Sequence, residues 1–300
     1  MSFDISDQTS MSVLFDVRLP RVISAAIIGA SLSICGTAFQ GLLRNPLADG
    51  STLGVSSGAS LGAVLAIVAS SAFPFLTQGF QDVSILLFSM IGAFVSLILI
   101  MLLAYKLDTK LSTNTIILVG VIFSMFASSF ISLLVSLFPE NAKTVTFWTM
   151  GSVSGTNYLD VIILLVFCTL CSLGIYSQSR ELNTFSIGEE NASHLGVNVK
   201  KTKIIIMVFV SILVGVCVSV SGTIGFVGLV VPHISRAIIG PNHKKLIPFT
   251  FLFGASFLMI TDCVSRTIIA PKELPIGVIT SLIGAVIFVI IFYRQRKKQN

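Results

Sequence analysis

The sequence predicts an all-α polytopic membrane protein, a compact bundle of about nine transmembrane helices with short helices on its cytoplasmic side. Three observations carry this. Of the 300 residues, 54% are hydrophobic and only 11% are charged, whereas soluble domains carry about 25% charged residues. Mean hydropathy is +0.96. The apolar residues also gather into runs near the roughly 20 residues that a helix needs to cross a bilayer. No polar linker or low-complexity tract divides the chain, so residues 1–300 are read as one transmembrane domain.

In chain order, the spans fall near residues 21–43, 54–73, 83–105, 115–138, 158–177, 203–221, 224–240, 246–270 and 275–293. The seventh is short and contains Pro232, His233 and Arg236. It reads as a broken or partly re-entrant helix, acceptable in a bilayer where protein surrounds it. Lys and Arg set the orientation. With the C-terminus in the cytoplasm, only Arg18, Arg21, Lys143, Arg266 and Lys272 of the 19 basic residues face outward. The positive-inside rule selects that arrangement, and nine spans then leave the N-terminus outside.

The net charge of +6 is carried by short loops between apolar runs. It therefore reads as membrane topology, not as a nucleic-acid surface. The first sixteen residues hold three aspartates and no Lys or Arg, so the basic start of a cleavable signal peptide is not expected. The five cysteines, Cys168 and Cys171 included, lie in apolar stretches and read as small packing residues. His194, His233 and His243 are scattered at spacings unrelated to metal ligation. The glycine-rich stretch Gly222–Arg236 lacks the Gly-Lys-Ser/Thr ending of a phosphate loop. An enzyme reading finds no nucleophile, base or metal cluster to carry it.

Three polar segments remain. Between Ser177 and Lys203 lies the longest polar stretch within the bundle, where Gly188 and Gly196 bracket about two helical turns. Glu189 and Glu190 stand at the start of that helix, where its dipole favours anions. It reads either as a docking knob for a cytoplasmic partner or as a solvated loop. In Arg44-Asn-Pro-Leu-Ala48, Pro46 restricts the backbone and Asn45 can close a turn with its side chain. Asp262 and Arg266, four apart on one helix, form either a local salt bridge or a functional intramembrane pair.

Taken in order, Val17-Arg-Leu-Pro-Arg21, Gln40–Ala48, Leu53–Ala59, Leu182–Gly196, Gly222–Arg236 and Glu273-Leu-Pro-Ile-Gly277 resemble the FecCD-type permeases. These are the membrane subunits of ABC importers for iron–siderophore complexes, haem and cobalamin. The resemblance covers nearly the whole chain. It implies a bacterial cytoplasmic-membrane protein that pairs with a second permease subunit as a homo- or heterodimer. Two ABC ATPase subunits would carry ATP and Mg²⁺, with no cofactor on this chain, and an extracytoplasmic binding protein would deliver an iron complex such as a ferric siderophore or haem.

Residue by residue, the resemblance assigns ATPase coupling to Ser186, Ile187, Gly188, Glu189, Glu190, Ala192, Leu195 and Gly196, within a coupling segment of about 181–200. It assigns binding-protein docking to Arg18, Arg21 and Arg266, and the cytoplasmic mouth to Leu47, Thr113 and Asn114. One departure stands out. Family members usually carry a further helix before the Arg-Leu-Pro-Arg block, giving ten spans. The rivals are a cobalamin or divalent-metal ABC permease and, from another class, an ion-coupled secondary transporter working without ATP.

Overall fold

A computed structural model describes residues 11–50, 53–72, 81–109 and 111–299. The described residues form helices and connecting turns without a strand. The long helices are α1 (Leu19–Leu42), α2 (Val55–Ala72), α3 (Gln81–Leu107), α4 (Thr113–Leu137) and α6 (Tyr158–Ser177), then α9 (Val199–Ser221), α11 (His243–Thr267) and α12 (Ile276–Gln299). Between them lie the shorter α5 (Ala142–Thr149), α7 (Ser179–Phe185), α8 (Glu189–His194) and α10 (Val227–Ile239). Among the described residues, seven helices are long and apolar enough to cross a membrane, and Val227–Ile239 and Ile276–Ile290 are shorter apolar helices. Each of the nine expected spans thus has its helix. The sequence reading missed α5, α7 and a π-helical turn over Val13–Arg18 that leads into α1.

Close backbone approach sets the packing. Without much hydrophobic drive between helices in lipid, association relies on van der Waals contact and small residues. A side chain built on Gly29 of α1 would strike the carbonyl of Gly254 in α11, and one built on Gly58 of α2 would strike Ser96 and the Gly92 carbonyl of α3. The helices α1 and α9 run through the centre: Ile28, Ile34, Phe39, Leu42, Val210, Leu213 and Val216 are all essentially inaccessible. By contrast, α3, α4 and α6 turn most of their apolar side chains outward, as expected of helices facing lipid or a second subunit. A smaller cluster of Val64, Ile67, Val68 and Val145 fastens α2 to α5, and Trp148 packs against both this cluster and the main core.

Two stretches of irregular backbone interrupt the bundle. The first, described at residues 43–50 and 53–54, lies between α1 and α2. It contains the expected turn, with Leu47 N–H donating to Asn45 Oδ1 at 2.9 Å and Ala48 N–H to the Asn45 carbonyl at 3.1 Å. Beyond it Asp49 is buried, and Gly50 lies against Val214 in the middle of α9. The second, residues 222–226, precedes the short α10, in which Pro232 removes one backbone donor. A broken seventh span was expected, and this is its form. Non-helical backbone at such depth is tolerated because neighbouring helices enclose it.

Gly29→Val is expected to remove about 3 kcal/mol of stability, because the new side chain meets backbone that cannot move aside. Gly155→Ala has open space around it and only a positive φ of 82° to tolerate, which costs about 1 kcal/mol. Thermal unfolding in detergent should rank the two in that order.

Candidate functional site

At one end of the bundle, α7 and α8 form a short helical spur between α6 and α9. Its geometry follows from two glycines. Gly188, at φ 109° and ψ 153°, is the N-cap of α8 in a conformation essentially restricted to glycine. At the other end, Gly196 at φ 86° permits a Schellman ending: Gly196 N–H donates to the Ser193 carbonyl at 3.0 Å and Val197 N–H to the Ala192 carbonyl at 3.1 Å. The two-turn helix read from the sequence is therefore present, with Glu189 and Glu190 in its first turn. Ser186, Ile187, Glu190, Leu195 and Gly196 are exposed, while Ala192 faces inward. Ile187 and Leu195 keep 50% and 67% of their surfaces accessible, which leaves the spur an apolar tip.

The two glutamates behave differently. Glu190 points to solvent, whereas Glu189 is the anchor of the spur. Its Oε2 accepts from Lys203 Nζ at 2.7 Å, and its Oε1 accepts from Thr113 Oγ1 at 2.9 Å. Lys203, in the first turns of α9, has a side chain that is 0% accessible. Its second bond goes to the Leu111 carbonyl at 2.7 Å. Leu111 itself sits at φ 53° just before α4, an uncommon conformation for a branched residue. One buried ammonium thus ties α8, α9 and the start of α4 together.

The expected mouth residues divide accordingly. Thr113 belongs to this node, Asn114 is exposed beside it, and Leu47 is exposed on the irregular stretch after α1.

Helix α4 runs from the node to a cavity of about 750 Å³. Ser128 and Ser132 of α4 line it, about 22 Å from Thr113 at 1.5 Å per residue. Ser56 and Ser60 of α2, Thr149 and Met150 at the end of α5, Thr223 to Gly225, and Ser281 of α12 also line it, with no charged residue among the described lining residues. Several of these hydroxyls donate to their own helices. Ser60 bonds the Ser56 carbonyl at 2.9 Å, Ser132 the Ser128 carbonyl at 3.0 Å, and Thr149 the Val145 carbonyl at 2.9 Å. These three hydroxyls are spent on their own helices, whereas Ser56, Ser128 and Ser281 keep theirs for a passing solute.

The opposite end of the bundle holds the arginines expected to dock a binding protein. Among them, Arg21 has a side chain only 10% accessible. Its Nε and Nη2 form a two-pronged contact with Asp262, at 3.1 and 2.9 Å to Oδ1, and its Nη1 reaches Glu273 Oε2 at 2.8 Å. Arg266 Nε joins the same carboxylate at 3.2 Å, so Asp262 and Arg266 do form the local salt bridge, with Arg21 added. The physical reason is desolvation: Asp262 is 1% exposed, and a buried carboxylate requires a matched cation. Arg21 therefore staples α1 to α11 and to the approach to α12. Arg18, one turn earlier, is exposed, and the Arg266 side chain is 26% accessible.

Sequence reasoning missed Lys203, Leu111 and Glu273. Lys203 was counted only as a loop charge, although a lysine leading an apolar run is itself a signal. The i,i+4 serine pairs 56/60 and 128/132 also share a helix face, a spacing visible in the sequence.

The node makes an asymmetric prediction. Glu189→Ala leaves a fully buried ammonium with only a carbonyl partner and should cost about 3 kcal/mol. Lys203→Met leaves a carboxylate that is 31% accessible and able to hydrate, so it should cost less. The double variant Lys203→Met/Glu189→Gln should be more stable than Glu189→Ala. Thermal unfolding of the three variants checks the ranking.

Comparison with known proteins places this geometry. The sequence matches the FecCD transport family over residues 1–294. It is 44% identical to the ABC transporter permease protein YvrB of Bacillus subtilis over 99% of this chain and 83% of that one. It is 36% identical to the hemin transport system permease protein HmuU of Yersinia pestis, covering 96% and 85%. The solved structure of a metal-chelate type ABC transporter in an inward-facing conformation superposes with a TM-score of 0.88 at 34% identity, over 98% of this chain and 91% of that one. With a matching set of apolar helices and a spur at the place its motif occupies, the chain belongs to the FecCD transport family and is an integral membrane permease subunit of that family.

Proposed function

We propose that this chain is the membrane-spanning subunit of an ATP-driven importer that takes up a metal chelate, with an iron complex as cargo. One observation carries the mechanism: the buried Lys203 joins the spur to the helix whose far side lines the cavity. In this reading the apolar tip of α8 seats on a partner ATPase in the cytoplasm, where ATP and Mg²⁺ are held. Displacement of α8 passes through Glu189 to Lys203 and Thr113, and so to α9 and α4. The carbonyl of Leu111 gives α4 a second hold on the same ammonium. Rotation or tilt of α4 then changes the cavity wall at Ser128 and Ser132.

A second permease subunit would face the cavity across the pathway, and two ATPases would sit below the pair. A binding protein would dock at the opposite end, where Arg18 and Arg266 keep accessible surface. Arg21 is a positioning residue there. Leu47 and Asn114 would form the cytoplasmic mouth. The membrane is the bacterial cytoplasmic membrane, with the C-terminus inside.

The wall chemistry bears on the cargo. Relatives of near-equal identity are named for hemin, molybdate and cobalamin import, at 36%, 36% and 37%, so identity does not select among them. The cavity does better. A bare divalent cation is held most strongly by carboxylate, imidazole or thiolate, and an oxyanion by a cationic partner. Hydroxyls and apolar side chains supply neither, but they suit a metal wrapped in an organic ligand.

The test begins with deletion of the gene in its own host and uptake of labelled iron, given as haem and as several ferric siderophores, beside labelled cobalamin and molybdate. Loss of one iron complex, restored by the gene, supports the assignment. Ile187→Asp with Leu195→Asp should fold normally yet lose more than tenfold in uptake and in co-purification of the ATPase. Loss confined to molybdate or cobalamin would replace the cargo. Uptake insensitive to the Ile187/Leu195 variant would refute the coupling route.

A further inference from the structure

A second polar cavity, of about 540 Å³, lies on the same face as the spur, between the end of α1, α7 and the turn joining α10 to α11. Arg44, Arg236 and His243 line it, with Ser186 and Asn183, and no carboxylate does. From this set we infer that it binds a phosphate group that also bears, or sits beside, a hydroxyl, supplied by either a lipid headgroup or a soluble phosphate.

The cationic groups are available. Arg44 forms no hydrogen bond or ion pair among the described residues, and its side chain is exposed. Arg236 donates Nη1 to Gln40 Oε1 at 3.0 Å, which leaves further N–H groups of a guanidinium that has five. Arginine forks match the geometry of phosphate oxygens. Arg44 is also held at φ 49°, a left-handed conformation unfavourable for a non-glycine residue. Strain of this kind at a cavity wall fits a residue retained for its side chain.

His243 supplies an independent observation. It is 5% exposed, and its Nε2 is buried without a partner. The rest of its network is fixed. Asn183 Nδ2 donates to Asn242 Oδ1 at 3.0 Å, so Asn183 Oδ1 is the acceptor. That oxygen receives both the His243 backbone N–H and Nδ1, each at 2.8 Å. Nδ1 therefore carries the proton, and in the neutral ring Nε2 is an acceptor that nothing satisfies. Buried polar atoms normally have partners. Nε2 looks toward Gly41, where any side chain would strike it first. A P–OH, or a glycerol hydroxyl beside a phosphodiester, reaches this acceptor once the wall at Gly41, which now closes it off, moves aside, while the phosphate oxygens take the arginines. Basic pockets between helix ends on the cytoplasmic side are known places for phosphate headgroups. The inference does not depend on which cargo is imported.

The test uses the full chain in neutral detergent, with ³²P-labelled inorganic phosphate in equilibrium dialysis. Arg44→Gln removes no bond of the fold and should raise the Kd at least tenfold, with unchanged thermal unfolding. Lys244→Gln with Lys245→Gln, exposed on the same face and outside the cavity, should change it less than twofold. Reconstitution in phosphatidylglycerol or phosphatidylcholine nanodiscs separates the sources. Displacement of labelled phosphate by phosphatidylglycerol alone marks a headgroup site, and equal binding in both marks a soluble one. Absence of phosphate binding in detergent together with absence of selective phosphatidylglycerol retention overturns the inference, as does an equal loss in the lysine variant. If Arg44→Gln instead weakens ATPase capture with no phosphate bound, the cavity receives a protein carboxylate and the inference is wrong.

Discussion

A single buried ammonium organises the working end of this protein. Lys203 has no contact with solvent, and its two hydrogen-bond partners come from different parts of the chain, the Leu111 carbonyl before α4 and the Glu189 carboxylate of α8. A charge in such a place is stable only if its partners are present and correctly aimed. The requirement runs both ways. The spur cannot detach without stranding the lysine, and the start of α4 cannot shift relative to α9 without breaking the same bonds. Directional stiffness of this kind suits the coupling role proposed for the spur, and ordinary apolar contact supplies it poorly because apolar packing has no preferred bond direction.

The rest of the bundle is built on contrast. Small residues bring α1 against α11 and α2 against α3 at backbone distance, which holds those helices as pairs. The helices α3, α4 and α6 keep their apolar faces outward. Two irregular stretches, after α1 and before α10, interrupt the regular helix. Thr223 to Gly225 from the second stretch face the cavity, while the first places Leu47 in the open.

Much of this was legible in the sequence. Hydropathy gave nine helices, because a 20-residue apolar run has few alternatives in a bilayer. Gly188 bounded α8 because its conformation is essentially restricted to glycine, Gly196 because glycine adopts its positive φ most cheaply, and Asn45 announced its turn. What could not be read was pairing. The sequence shows Arg21 as one of a few outward arginines, and nothing local reveals that Asp262 and Glu273, far along the chain, surround it. Likewise Glu189 and Glu190 look alike in sequence, yet one is an anchor and the other a surface charge. Neighbouring side chains on a short helix diverge by about 100°, and which direction is inward is decided by the tertiary fold.

Trp148 is the only tryptophan in the chain. It sits at the joint between the two apolar clusters, immediately before the residues that enter the cavity wall. Its ring is part buried, and its carbonyl is pressed by Gly222 at the start of the second irregular stretch. The molecule therefore carries a built-in optical probe. Indole emission shifts with the polarity of its surroundings, so opening or closing of the cavity can be followed in unlabelled protein, on the timescale of the motion itself, without a cysteine or a dye being introduced.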